Sequence, residues 1–371
     1  MFERMILMFF SLMGLLNGAL FVWIFRKRSI FFHLLGSWAI SFAAAYYFLW
    51  YAKGYDGLGL WSLWLAYGMT GLMVAEIIAL PLLFILALVS IPKNGKLWAQ
   101  RLSLAAILAA VGIGVYGSVD GNTSERVEHY DLYVDNLPAS FEGYKIAQVT
   151  DTHIGPYFRY SDLPAEIERA HVEGADILAF TGDLIDDVRY MPDAAKALSE
   201  GYKDFPDGIL YVWGNHEYYR GKDYIEQELD TTPVHRIVNS HEAIRRGSDV
   251  LYFTGVDYPW AKGSAMKEEM KEMADEAWDG VPEGSNVIFL AHHSAFIDEG
   301  LKRGAIITLT GHTHGTQFGL FGKPIITPFT YTRGMYSDGI HKGYVSVGTG
   351  SWFPFRWSCE RELTVFTLKR A

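Results

Sequence analysis

The chain has 371 residues, of which 50% are hydrophobic and 15% aromatic, and a formal net charge of -10. That acidic balance, with no domain-wide basic stripe to displace counterions from a phosphate backbone, argues against a nucleic-acid partner. The only cysteine is Cys359, which excludes an intrachain disulfide and a thiolate metal site.

The first third is membrane-like. Apolar runs at 5–25, 29–51, 60–91 and 102–119 are long enough, or nearly so, to cross a hydrocarbon layer of about 30 Å. Pro81 in the third run either kinks that helix or marks its exit toward the interface. Tyr46, Tyr47, Trp50, Tyr51, Trp61 and Trp64 cluster where an interfacial aromatic belt belongs. The cations Arg26, Lys27 and Arg28 follow the first apolar run rather than preceding it, so the run reads as a retained anchor and not as a signal peptide. They occupy the first loop; Lys93, Lys96 and Arg101 occupy the third, and the second offers only Lys53 beside Asp56. Positive loops stay cytoplasmic, so both termini, and everything after residue 120, are expected on the extracytoplasmic side. Glu76 lies near the middle of the third run. It is expected to face the bundle and bond a neighbouring helix, with His33 as candidate partner.

From about residue 122 the pattern becomes α/β. Tyr130, Leu132 and Val134 alternate as a lead-in strand, and short apolar runs follow at 146–149, 177–180, 209–212, 287–290 and 306–309. Helical patterns fall between several of them, at 163–173 and 265–277. The expected organisation is a membrane region with four transmembrane helices over 1–121, a lead-in strand and linker over 122–140, and a catalytic domain over 141–371.

A polar block follows each of the five runs: Asp151 with His153, GDLID from Gly182 to Asp186, GNHE from Gly214 to Glu217, the pair His292 and His293, and GHTH from Gly311 to His314. Singly each block is weak, since an aspartate can cap a turn and Gly-Asn-His-Glu can tip a hairpin, Asn and Gly both favouring positive φ. Together they place nitrogen and oxygen ligands at the carboxyl ends of five strands, where open α/β sheets bind their ligands. Sulfur-free N/O donors in that number suit two divalent metals, with Mn, Fe and Zn all compatible.

The five blocks resemble the calcineurin-like metallophosphoesterases, in the membrane-associated branch whose last block often reads GHTHGGQ; here it is GHTHGTQ, with Thr316 in place of the second glycine. The resemblance runs from about Gly143 to the C-terminus and includes YTRGMY and GYVSVGTGSWFPFR. It implies a four-layer sandwich, two packed sheets flanked by helices. It also implies that Asp151, His153 and His314 hold one metal, that Asn215, His292 and His312 hold the other, and that Asp183 bridges them. His293 is then only a neighbour of His292. Two metals about 3.5 to 4 Å apart activate a shared water and clamp the oxygens of an in-line displacement at phosphorus. His216 is placed to protonate the leaving oxygen, with Asp186 orienting its ring.

The function expected is a membrane-anchored phosphohydrolase acting on a phosphoester or pyrophosphate in a lipid-linked substrate: a phospholipid, a glycolipid phosphate or a UDP-diacylglucosamine-like molecule. Cleavage of UDP-diacylglucosamine in that branch is cytoplasmic, which conflicts with the sidedness read from the loops. The alternatives are a tethered phosphodiesterase for soluble substrates, and a non-catalytic metal-binding sensor, which the filled ligand positions disfavour. His171, His235 and His241 are expected away from the site, and Asp187 in a turn. Of Tyr218 and Tyr219, one is expected to pack and the other to be exposed. Gln317, Arg333, Arg356, Trp352, Phe353 and Phe355 read equally as a lipid-facing groove beside the metals and as a folded C-terminal β region.

Overall fold

The four apolar runs become four helices: α1 (Phe2–Phe25), α2 (Ile30–Gly54), α3 (Leu60–Val89) and α4 (Lys96–Thr123). The structure is a computed structural model that describes residues 2–92 and 94–371; Lys93, one of the loop cations noted above, lies outside the described residues. All four helices are long and apolar enough to cross a membrane. Pro81 sits inside α3, which continues to Val89, so it does not end the segment.

Small residues line the helix crossings. A Cβ on Gly114 would run into the backbone of Gly71, so α3 and α4 approach closely enough to need both glycines. Large apolar side chains point outward instead, Phe32 being 72% exposed and Leu108 73%. Glu76 faces the bundle as expected, but its partner is not His33. Its Oε1 accepts from Ser41 of α2, while the His33 Nδ1 lies 2.8 Å from the Ser29 carbonyl one turn back, a local bond that needs no second helix.

The chain divides into two compact units, one formed by residues up to Thr123 together with Phe353–Trp357, the other by Ser124–Trp352 and Ser358–Ala371. In the first unit the Arg356 N–H donates to the Gly117 carbonyl at 2.8 Å, and the Phe353 ring lies 5.8 Å from Phe48. Phe353, Phe355 and Arg356 thus lie outside the strands. They pack with the helices.

In chain order the second unit comprises β1 (Glu125–Val134), β2 (Lys145–Val149), α5 (Leu163–Val172), β3 (Ile177–Phe180), α6 (Met191–Gly201), β4 (Ile209–Tyr211), α7 (Asn215–Arg220), α8 (Lys222–Leu229) and β5 (His235–Arg236). Then follow β6 (Ser240–Arg246), β7 (Asp249–Gly255), α9 (Ser264–Trp278), β8 (Asn286–Leu290), α10 (Ile297–Arg303) and β9 (Ile307–Thr310). The chain ends in β10 (Gly319–Leu320), β11 (Lys323–Pro324), β12 (Gly334–Ser337), β13 (Lys342–Val345) and β14 (Arg361–Arg370). Twelve of the strands form two six-stranded mixed sheets, ordered β1-β14-β2-β3-β4-β5 and β12-β13-β9-β8-β7-β6, and β10 pairs with β11.

Ile146, Ile177, Leu210, Leu251, Ile288 and Leu309 meet between the two sheets. Their chain neighbours point the other way: Ala147, Leu178 and Ile209 pack under Ile167, Ala194 and Ile225 of α5, α6 and α8, and Phe289 packs under Met270 and Ala274 of α9. Strands buried on both faces explain why these runs are apolar without alternation. The architecture is a four-layer sandwich. His235 and His241 lie within β5 and β6, and neither they nor His171 reaches the polar blocks.

Candidate metal centre

Each polar block leaves the carboxyl end of a parallel strand: β2 ends at Val149, β3 at Phe180, β4 at Tyr211, β8 at Leu290 and β9 at Thr310. Parallel pairing aligns those ends on one rim, so residues far apart in sequence converge. The loops leave the strands through backbone that side chains rarely adopt. Asp151, His153, Asp183, His312 and His314 have φ values of 54°, 47°, 55°, 70° and 48°. Left-handed conformations at non-glycine residues cost on the order of 1–3 kcal/mol each and persist only where the surroundings over-determine them. Here the surroundings are backbone bonds between blocks: Asp151 N–H to the Gly182 carbonyl and His153 N–H to the Asp183 carbonyl, each 3.0 Å.

Gly182 and Gly214 touch. A Cβ on Gly182, whose φ is 87°, would lie 2.6 Å from the Gly214 nitrogen and 2.8 Å from His292 Nδ1. The second and third blocks can therefore meet only as glycines. Glu217, whose position reasoning from sequence left without a role, fastens them. Fully buried, it accepts from Asp183 N–H at 3.1 Å, Leu184 N–H at 2.7 Å, Gly214 N–H at 2.8 Å and the Tyr211 hydroxyl at 2.8 Å. The signal for it was its place three residues after Gly214, at the start of a helix, where a glutamate reaches back to the cap.

Three overlapping groups have donor atoms within 4.8 Å of one another: Asp151, His153 and His314; His153, Asp183 and His216; and Asp183, His292 and His312. Asp183 belongs to two of them. Asn215 is buried beside them at 6% exposure. Six of the seven expected ligands therefore come together, and the seventh, Asn215, directly precedes His216 of the second group. His293 belongs to none of the groups, although its ring lies 4.9 Å from that of His312; its Nδ1 accepts from Ala295 N–H at 3.1 Å, capping a short turn.

The lone pairs identify what the site is built for. The His292 Nδ1 lies 2.7 Å from the Thr181 carbonyl and so carries the hydrogen, which turns the Nε2 lone pair toward Asp183 Oδ2 at 3.1 Å. Two acceptors facing one another repel unless a cation or proton lies between them. The Nε2 atoms of His153 and His314 face each other at 3.0 Å, and Asn215 Oδ1 and His292 Nε2 are buried without a hydrogen-bond partner. Nitrogen and oxygen donors with lone pairs directed inward fit borderline divalent cations.

Without a cation, a proton takes its place. Burial opposes ionisation of Asp151 and Asp183, yet His314, His153 and His292 hold both carboxyls below their ordinary range. Burial likewise opposes charge on His153 and His292, but Asp186, Asp151 and Asp183 outweigh it and push them up to about 10 and about 9. His312 moves the other way, down to about 3, through burial and the nearby His292.

His216 is half-buried. Its Nδ1 lies 2.5 Å from Asp186 Oδ1, its N–H donates to Asp183 Oδ1 at 2.8 Å, and Asp186 also reaches His153 Nδ1 at 3.5 Å and Arg220 Nε at 3.2 Å. Around the rim stands an aromatic group that sequence reasoning missed. The Tyr258 hydroxyl is 3.5 Å from His312 Nε2, Phe329 lies 5.5 Å from the His312 ring, and Trp260 stacks edge-on to Tyr258 and Tyr219. Tyr219 and Trp260 are 61% and 42% exposed, whereas Tyr218 packs and donates to Asp257 at 2.6 Å, as expected of that pair.

The description of calcineurin-like phosphoesterases matches residues 144–316, which hold all five blocks. A metallophosphoesterase of Aquifex aeolicus (strain VF5) is 30% identical over 271 residues, covering 70% of this chain and 97% of the relative. The chain belongs to the calcineurin-like metallophosphoesterase family. It is a phosphoester hydrolase by that membership. The metallophosphoesterase YkuE of Bacillus subtilis (strain 168) is 29% identical over 277 residues, covering 72% of this chain and 93% of YkuE. A transmembrane protein with metallophosphoesterase domain from Danio rerio is 29% identical over 290 residues, covering 72% of this chain and 62% of its own length.

Proposed function

We propose that this metallophosphoesterase is anchored in a bilayer by α1–α4, holds two divalent cations, and cleaves a phosphoester or pyrophosphate bond in a lipid-linked substrate. The observation that carries the reading is the pair of ligand groups joined at Asp183, with inward lone pairs on Asn215 and His292 that nothing else satisfies. Asp151, His153 and His314 would hold one cation, Asn215, His292 and His312 the other, and Asp183 both. When bound, the cations activate the attacking water and neutralise charge on the phosphoryl oxygens. The chain's own residues do the rest. Asp186 fixes the His216 ring through Nδ1, which leaves Nε2 to deliver a proton to the leaving oxygen as the P–O bond breaks.

The exposed rim of Tyr219 and Trp260 favours a leaving group with a flat or apolar body, and four membrane helices in the same chain favour a substrate presented at a bilayer. Phospholipids, glycolipid phosphates and UDP-diacylglucosamine-like molecules have both properties. The cations of the first and third loops support an extracytoplasmic catalytic domain.

The test is hydrolysis by the purified full chain of a panel of lipid phosphates and diphosphates, beside a generic aryl phosphodiester, with Mn, Fe and Zn supplied in turn. Lipid-linked substrates should be cleaved with the higher kcat/KM. Equal or better turnover of soluble nucleotides would favour the tethered phosphodiesterase instead, and a reporter fused after Asp120 would decide sidedness.

A further inference from the structure

The helical unit contains a cavity of about 390 Å³, to which all four helices contribute. That volume falls within the roughly 300–1,000 Å³ range of small-molecule sites, and like them its wall is mostly apolar with a few convergent polar groups. The polar groups are Asn17, His33, Ser37 and Glu76.

Their hydrogen bonds leave a one-sided remainder. The Ser37 hydroxyl donates to the Gly14 carbonyl at 2.7 Å, and the His33 Nδ1 is taken by Ser29. Asn17 Nδ2 donates to the Glu76 carbonyl at 3.1 Å, which fixes the amide and leaves Oδ1 as its other end. Glu76 Oε1 accepts from Ser41. Asn17 Oδ1 and Glu76 Oε2 remain, both buried and both without a partner. Two acceptors with no donor, one of them on a carboxyl group, are costly at membrane depth unless something brings hydrogens to them.

We propose that this cavity binds a primary-amine amphiphile, with its ammonium group between Glu76 and Asn17 and its apolar body along Phe21, Leu72 and Ile107. A hydroxyl brings one hydrogen and cannot serve both acceptors; an ammonium brings three and a charge opposite to the carboxylate. A calcium ion is poorly served, because it takes six to eight oxygens and the unpartnered ones here are Asn17 Oδ1 and Glu76 Oε2. Ile40 on the wall is 57% exposed, so the cavity is reached from the flank of the helices. The site is independent of the metal centre and of the reaction proposed for it.

The experiment uses the full chain in phosphatidylcholine nanodiscs, with radiolabelled dodecylamine as probe and 1-dodecanol and dodecane as comparisons. The expected result is saturable binding of one dodecylamine per chain, at least tenfold tighter than dodecanol. Glu76→Gln, which keeps the hydrogen bond to Ser41 available, should weaken that binding tenfold or more. Leu72→Trp, which fills the cavity and leaves the carboxylate in place, should abolish it. Dodecylamine uptake that never exceeds dodecane, or that is the same in wild type and both variants, would overturn the site. Dodecanol binding as tightly as dodecylamine would overturn the amine assignment.

Discussion

The two units of this chain solve burial in opposite ways. In the sandwich the large side chains are inside: Trp213, Phe180, Phe289 and Phe366 are fully buried between or beneath the sheets. In the helical unit many of them are outside, Phe31, Phe32, Trp61 and Leu108 among them, and although Tyr51, Tyr67 and Leu83 are buried, the helix crossings are lined by Ala44, Ala45, Ala66, Ser41, Thr70 and the touching pair Gly71 and Gly114. Water drives the first arrangement, because removing apolar area from it is favourable. Lipid offers no such drive, so close backbone approach and hydrogen bonds must hold helices together. The treatment of charge differs in parallel. The sandwich crowds Asp151, Asp183 and Asp186 against histidines so that each sign stabilises the other, while the Glu76 carboxyl group is met by the neutral Ser41 hydroxyl, with Asn17 on the Glu76 backbone carbonyl. A crowd of paired ligands is what a cation site requires; a carboxylate with neutral neighbours is what a donor-bearing guest requires.

The largest effect expected is at the crowd's centre. Asp183→Ala should lower hydrolysis of an aryl phosphodiester by about 10³-fold or more, since it removes a donor from two ligand groups at once. His216→Ala should cost about 10²–10⁴-fold in kcat with metal content unchanged, as for loss of a general acid. A His216→Ala rate equal to wild type would remove that residue from the reaction.

On the helical side, Gly114→Leu should destabilise the bundle by about 1–3 kcal/mol through backbone overlap with Gly71, whereas Leu108→Ala on the outer face should leave it unchanged. Thermal unfolding in detergent measures both, and equal effects would erase the contrast between the units. Metal loading should release protons. His153 and His292 favour their charged forms up to about 10 and about 9, and each must give up its proton to become a ligand. Apparent affinity for Mn should therefore rise with pH below those values, by about tenfold per pH unit for each proton displaced. Calorimetry in buffers of different ionisation enthalpy counts the protons; none released would contradict the charge crowd.

The smallest effect concerns Thr316, the residue that stands where the related branch has glycine. It has φ 59°, a genuine outlier for a β-branched residue. Thr316→Gly should stabilise the chain by about 0.5–1 kcal/mol, the relief of strain being partly offset by greater freedom in the unfolded state. A lower melting temperature would show that the Thr316 hydroxyl, bonded to the Gly315 carbonyl at 2.8 Å, outweighs the strain.

The places of the candidate ligands were legible in sequence because each polar block follows a doubly buried strand, and such strands announce themselves as short unbroken apolar runs; their division between two cations came from the family resemblance. The helices were legible for the same reason on a larger scale. What escaped were features made by distant pairing. Strand β14 inserts between β1 and β2, more than two hundred residues away in sequence, and no local pattern marks that partner. Glu217 looked like the end of a motif until four donors converged on it. Tyr258, Trp260 and Phe329 carry no spacing signal, since they lie outside the five blocks, the first two after β7 and the third between β11 and β12. Phe355 and Arg356 read as C-terminal strand or groove because nothing local shows that Gly117 and Gly121 leave room for them.

The central claim, two cations joined at Asp183, is tested most directly by counting metal. The full chain purified with Mn in excess, desalted and analysed by mass spectrometry of its elements should carry two ions per chain, and Asp183→Ala should fall below one while its far-UV circular dichroism is retained. Two ions retained by Asp183→Ala, or fewer than one in the folded wild type with each of Mn, Fe and Zn, would contradict it.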